Sequence, residues 1–146
     1  MTETSVEPGV LVMTRYFDAS PERVFQAWTD PELSARWLFT TPQSEAHSAE
    51  LDVRVGGRWT IVDRRGGVDY RALGEYLNVD PPRRLVFTFG MPQFSPGFTT
   101  VKVEIAAAEA GSVMTLAQED LPAASIPPLE EGWRAMFETL VLVAAA

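Results

Sequence analysis

Few side chains in this sequence combine a type and a placement that could do chemistry, and Asp63 comes first among them. Strand alternation through Arg58–Asp63 puts Trp59, Ile61 and Asp63 on one face, so a carboxylate ends an apolar row. Buried without a partner, such a carboxyl has a raised pKa, the property a general acid or a ligand-orienting group needs. The competing and stronger reading leaves Asp63 exposed in the turn beside Arg64 and Arg65. Gln118 ends a second apolar row after Met114 and Leu116. Its amide carries both a donor and an acceptor, which a ligand or backbone near the strand end would satisfy equally well. His47 stands among Ser44, Glu45 and Ser48 at the start of a strand and reads as a surface histidine.

A single histidine and no cysteine leave no histidine-rich metal site, no thiolate chemistry and no disulfide, so no metal and no cofactor is expected. Gly-rich phosphate loops, the Gly-x-Ser-x-Gly elbow and the His-Glu-x-x-His motif are absent from the sequence. Gly56-Gly57 joins two strands and opens no helix, so it serves a tight turn. Four tryptophans, Trp28, Trp37, Trp59 and Trp133, offer flat apolar faces. Trp28 reads as core, whereas Trp59, Phe89 and Trp133 would face each other across a sheet–helix gap and either line a pocket or fill it.

The elements that position these residues are legible in the pattern. Pro127–Val143 is an amphipathic helix whose stripe is Leu129, Trp133, Met136, Phe137, Leu140 and Ala144, with Pro127-Pro128 as an extended entry and Glu130 and Glu131 in the first turn. Val10–Phe17 reads as a strand. Ser20-Pro21-Glu22 then starts a helix burying Val24, Phe25 and Trp28, and Asp30-Pro31-Glu32 starts a second that sets Leu33 and Trp37 on one side. Six strands separated by glycine and proline turns follow: Ala46–Val55, Arg58–Asp63, Val68–Val79, Arg84–Gly90, Phe98–Ala107 and Ser112–Glu119. Their short connections demand an antiparallel meander. Leu85, Phe87 and Phe89, then Val101, Val103 and Ile105, look inward with the rows above. Thr100, Lys102 and Glu104 look wet, so the long helix covers one face only.

One domain, 10–146, is expected behind a flexible polar tail, 1–9, with no signal peptide. The longest apolar run, Leu140–Ala146, falls far short of the roughly 20 residues that span a bilayer. A net charge of −8 argues against nucleic-acid binding, and the lack of cysteine leans towards the cytoplasm. Arg64-Arg65 and Arg83-Arg84 read as solvated turn residues.

Arg15-x-Phe17-Asp18-Ala19-Ser20-Pro21-x-x-Val24-Phe25-x-Ala27-Trp28-Thr29-Asp30-Pro31-Glu32 with Trp37, then Asp52-x-Arg54-x-Gly56-Gly57-x-Trp59, Gly74-x-Tyr76, Pro81-Pro82, Leu85-Val86-Phe87-Thr88, Gly111-Ser112-x-Met114-x-Leu116 and Gly132-Trp133 closely resemble the family named after the activator of heat-shock protein 90 ATPase. That family belongs to the START-like, or Bet v-type (SRPBCC), helix-grip superfamily. The resemblance covers the chain from Val10 on. It implies an α+β helix-grip fold: a curved seven-stranded antiparallel sheet round the C-terminal helix, closed at one end by two short helices, with a cavity for an apolar or amphipathic small molecule. Two positions depart from the family pattern. Leu38 stands where a second aromatic often follows Trp37, with Phe39 next, and Gln118 stands where a histidine is frequent.

Three functions fit this frame, since fold does not fix function. The leading one is binding of a small hydrophobic or amphipathic ligand, with Trp59, Ile61, Phe89, Val103, Leu116, Trp133, Met136 and Phe137 as walls and Asp63 and Gln118 orienting its polar end. The second is an enzyme of the cyclase, dehydratase or hydrolase type in the same cavity, with Asp63 as acid or base. The third is a co-chaperone-type interaction domain. Met91–Gly97, with Pro92, Phe94 and Pro96, is a candidate lid or interface, and a homodimer through that loop or through Leu142 is left open.

Overall fold

Ser20 and Asp30 start the two short helices with the chemistry their side chains supply. In the computed structural model, which describes residues 2–94 and 96–145, Ser20 accepts from the Arg23 N–H and Pro21 takes the first position of α1 (Pro21–Thr29). Asp30 then serves both helices. Its N–H donates to the Gln26 carbonyl to close α1, and its carboxylate accepts from the Glu32 N–H to open α2 (Pro31–Ser34). α2 is shorter than the Leu33–Trp37 spacing predicts. Trp37 lies in the turn beyond it, fully buried, because its ring meets Trp28 edge-on at 4.6 Å and its Nε1–H donates to the Ala27 carbonyl at 2.9 Å.

The strands are β1 (Thr2–Glu7), β2 (Val10–Phe17), β3 (Ala46–Leu51), β4 (Arg58–Arg65), β5 (Val68–Asp80), β6 (Arg84–Phe89), β7 (Thr99–Ala108) and β8 (Gly111–Glu119). They form one antiparallel sheet in the order β1-β2-β8-β7-β6-β5-β4-β3. Among the described residues the count is eight rather than the seven expected. The extra strand is the segment read as a tail: Thr2–Glu7 pairs with Val10–Arg15, and Thr4 donates its hydroxyl to Glu130, which Arg134 also engages. The strand is almost wholly exposed, so it carries no alternation for periodicity to detect. Met1, part of the expected tail, lies outside the described residues.

The inward rows agree with the alternation. Trp59, Ile61 and Asp63, Val101, Val103 and Ile105, and Met114, Leu116 and Gln118 are all buried. α3 (Ile126–Ala145) covers them and buries Trp133, Met136, Phe137, Leu140, Val143 and Ala144, worth on the order of 10 kcal/mol gross at the usual value per large side chain. Pro127 and Pro128 fall inside its first turn, contrary to an extended entry, because amide groups there have no intrahelical partner to lose. Glu130 and Glu131 consequently stand beyond the first turn, and Glu130 pairs with Arg134.

Candidate functional site

Trp59 reaches the sheet–helix gap because β5 carries glycine beneath it. A Cβ at Gly74 would stand 1.8 Å from the Thr88 carbonyl oxygen and 2.8 Å from Trp59 Nε1, the atom that donates to that same carbonyl at 3.1 Å. Without a side chain there, the rings of Trp59 and Phe89 approach to 6.3 Å and lie within 9° of parallel. A third ring rests on this shelf. It belongs to Phe39, whose centroid is 5.6 Å from Trp59 and 4.9 Å from Phe89, at interplanar angles of 15° and 23°. Trp133 closes over it from α3 at 5.6 Å and 58°.

Phe39 comes from neither sheet nor helix. It sits in the turn between α2 and β3 at φ 59°, a left-handed conformation that costs a bulky residue energy and persists only where the surroundings enforce it. Its N–H donates to Met136 Sδ at 2.9 Å, and its carbonyl accepts from Arg65 at 3.4 Å. Sequence reasoning notes Phe39 beside the departure at Leu38, where a pocket would be lined, but leaves it out of the ligand-binding set. The signal available for it is a large apolar residue in a stretch without helical or strand periodicity.

Asp63 and His47 hold that turn. Asp63 is 2 % exposed, which corrects the exposed-turn reading, because β4 continues in register through Arg65 and keeps the carboxylate on the inner face. Burial pushes its carboxyl up, but hydrogen bonds from Ser44, Arg65 and His47, with the charge of Arg65, outweigh it and hold the group below the usual carboxylate range. The buried carboxylate is therefore ionised at neutral pH, which removes it as a general acid. His47 is nearly buried rather than on the surface, since β3 sets it opposite Asp63. Its Nδ1 lies 2.9 Å from the Asp63 carboxylate and its Nε2 2.8 Å from the Leu38 carbonyl. Both nitrogens thus lie within hydrogen-bond reach of an oxygen. Arg65 packs over Tyr70 at 5.0 Å, and Phe94 of the expected lid stacks on Tyr70 at 5.5 Å while remaining 64 % exposed. Ser95, in the middle of that lid, lies outside the described residues.

Gln118 is fully buried and partnered at both ends of its amide: Trp133 Nε1–H donates to its Oε1 at 2.8 Å, and its Nε2 donates to Thr99 Oγ1 at 2.9 Å. It fixes the indole of Trp133. Ile61, Val103, Leu116 and Phe137 are buried in the core, and Met136 meets Phe39 through sulfur. Between Trp28, Trp59, Tyr76 and Phe87 the free space is about 10 Å³, room for one water at most. In the sheet–helix gap, where a cavity is expected, the rings of Phe39, Trp133 and Phe137 stand. A wider concavity of about 660 Å³ lies elsewhere, at the surface between the β1–β2 turn and the start of α3, lined by Val6, Glu7, Ile126 and Glu130. Among the described residues no group of His, Cys, Asp or Glu is placed to hold a metal ion, and no helix is long and apolar enough to cross a membrane.

A curved antiparallel sheet gripping a C-terminal helix, with two short helices after the second strand, is a helix-grip arrangement. The sequence profile of the family described as activator of Hsp90 ATPase homolog 1-like protein matches residues 18–145. The chain belongs to this family. Solved structures share its fold. Protein CV1439 from Chromobacterium violaceum superposes with a TM-score of 0.82 at 25 % identity, over 96 % of this chain and 99 % of that one. A protein from Rhodobacter sphaeroides does so with a TM-score of 0.87 at 20 % identity, over 99 % and 98 %. A Staphylococcus aureus protein described as of unknown function gives 0.79 at 23 %, over 99 % and 95 %. Comparison with curated protein sequences gives no match. The helix-grip family points to a fold that binds hydrophobic ligands and leaves the ligand unnamed.

Proposed function

We propose that this protein binds a small hydrophobic or amphipathic molecule between the sheet and α3. The observation that carries the reading is the aromatic shelf. Trp59 and Phe89 present flat faces to one spot, Trp133 closes it at a tilt, and the ring occupying it is delivered by a turn rather than by the elements that build the walls. Ile61, Val103, Leu116, Met136 and Phe137 back the shelf. Asp63 and Gln118 contribute by fixing His47, Arg65 and Trp133 in place. The absence of cysteine accords with a reducing compartment such as the cytoplasm.

Native mass spectrometry before and after organic extraction, followed by titration of N-phenyl-1-naphthylamine into the extracted protein, tests this. Saturable probe binding, lost in a Trp133→Ala variant that keeps the wild-type circular dichroism, is the expected result. A clean apo mass with no saturable binding overturns it.

One observation favours a protein-interaction role instead. The rings of Phe39 and Trp133 occupy the gap, and Phe94 and Phe98, from the same connection, expose large apolar surface. Under that reading the partner is a chaperone of the kind the family description names, and retention of purified Hsp90 on the immobilised protein, abolished by Phe94→Ser with Phe98→Ser, is the corresponding result. The catalytic alternative has less to stand on. The carboxylate is ionised, and Arg65, His47 and the Leu38 carbonyl use up the hydrogen-bonding atoms of the cluster.

A further inference from the structure

We propose that the Phe39 ring is a built-in occupant of the ligand site, displaced when a planar fused-ring aromatic molecule binds on the Trp59–Phe89 shelf. This rests on the small-molecule reading above and adds to it the ligand class and the part that must move.

Three independent features place Phe39 in this role. The first is shape: the two shelf rings are 6.3 Å apart and within 9° of parallel, so a flat group wide enough to meet both is matched, and Phe39 meets both at offset-stacking distances. The second is backbone: at φ 59° Phe39 is held in the left-handed region, a local cost of the closed state that a change of backbone conformation on opening would remove. The third is attachment. The chain between α2 and β3 contributes no strand or helix from residue 35 to 45, so its outward movement breaks no ladder of the sheet. What holds it shut is the stacking of the ring on Trp59 and Phe89 with two bonds, Arg65 to the Phe39 carbonyl and the Phe39 N–H to Met136 Sδ, while His47, anchored with Arg65 by Asp63, holds the Leu38 carbonyl on the side that stays. Trp37 and Leu38, buried just before it, stay behind as the hinge's fixed side.

A ligand that requires Phe39 out binds with an affinity reduced by the fraction of molecules in the open state. Removing the ring removes that penalty. Phe39→Gly is the variant of choice because glycine accepts the left-handed backbone that any other residue strains to adopt.

The experiment is calorimetric titration of 2-naphthol, planar, bicyclic and uncharged, into wild-type protein and Phe39→Gly, together with ¹⁹F NMR of 4-fluorophenylalanine-labelled wild type in which the residue-39 signal is assigned from Phe39→Leu. Retention of fold in each variant is checked by circular dichroism. The expected result is saturable binding by the wild type, a shift of the residue-39 signal to a solvent-exposed position on saturation, and binding to Phe39→Gly at least about tenfold tighter. Wild-type binding with the residue-39 signal unmoved and equal affinity in the variant overturns displacement and leaves the small-molecule reading standing. Binding by the variant alone identifies Phe39 as a fixed core residue and overturns the proposal. Binding by neither overturns this proposal and the small-molecule reading together.

Discussion

Asp63 is 2 % exposed, and its environment still favours the charged form, so its ionisation stabilises the folded state. A carboxyl held below its unfolded value of about 3.9 contributes stability that is fully present above that pH and is lost as the pH falls through the folded value. Urea midpoints of the wild type measured against pH are therefore expected to drop below about pH 4, and those of Asp63→Asn to be flatter there. At pH 7 the same substitution should cost about 1–3 kcal/mol, since it leaves Arg65 without its charge partner and His47 without its carboxylate contact. Gln118 and Trp133 form the other buried polar contact of the site. Trp133→Phe and Gln118→Leu, each leaving one buried group unpaired, should each cost about 1–3 kcal/mol, and the double variant less than their sum. A double-mutant cycle by urea denaturation checks this, and strict additivity would show that the hydrogen bond contributes nothing.

At the scale of elements, β5 and β1 make opposite demands. β5 passes under Trp59 so closely that any side chain at Gly74 meets the Thr88 backbone, and backbone does not yield as a side-chain tip does. Gly74→Ala is expected to displace the Trp59 indole and to lower the thermal midpoint sharply, read by calorimetry and tryptophan fluorescence. β1 covers almost nothing, its residues being exposed along most of its length, and its ties to α3 run through Thr4, Glu130 and Arg134 at the surface. Removing residues 2–7 should leave a folded protein with a small loss of stability, and loss of native circular dichroism on that truncation would contradict the account. The N-caps lie between these extremes. Ser20→Ala should cost α1 about 0.5–2 kcal/mol by chemical denaturation.

For the molecule as a whole, the sheet centre and α3 form the stable frame, and the turn carrying Phe39 is pinned to it by few bonds. Amide hydrogen exchange should accordingly be fast at residues 40–44 and slow through β7 and β8, and equal protection in both would leave the turn no freedom to open. The helices, the antiparallel strands and their inward rows are recoverable from local chemistry, and the helix-grip arrangement from the family resemblance. Ser20-Pro21 and Asp30-Pro31 announce helix starts, Gly and Pro punctuate the strands, and period-two alternation puts Trp59, Ile61, Val103 and Leu116 inside. Such signals reside within a few neighbouring residues, where sterics and side-chain caps act. β1 escaped them because an exposed edge strand needs no apolar face. The site escaped in a different way. Asp63 was visible as an inward carboxylate, but its charge state depends on His47 and on Arg65, and the His47 pairing depends on the register that β3 and β4 adopt in the sheet. Phe39 sits in a turn with no period to read, and its contact with Trp59, Phe89, Trp133 and Met136 exists only once β4, β6 and α3 are packed together. Sequence alone thus determined which residues face the interior; tertiary packing decided that the interior is filled and by which ring, because that depends on volumes and hydrogen bonds brought together from distant parts of the chain.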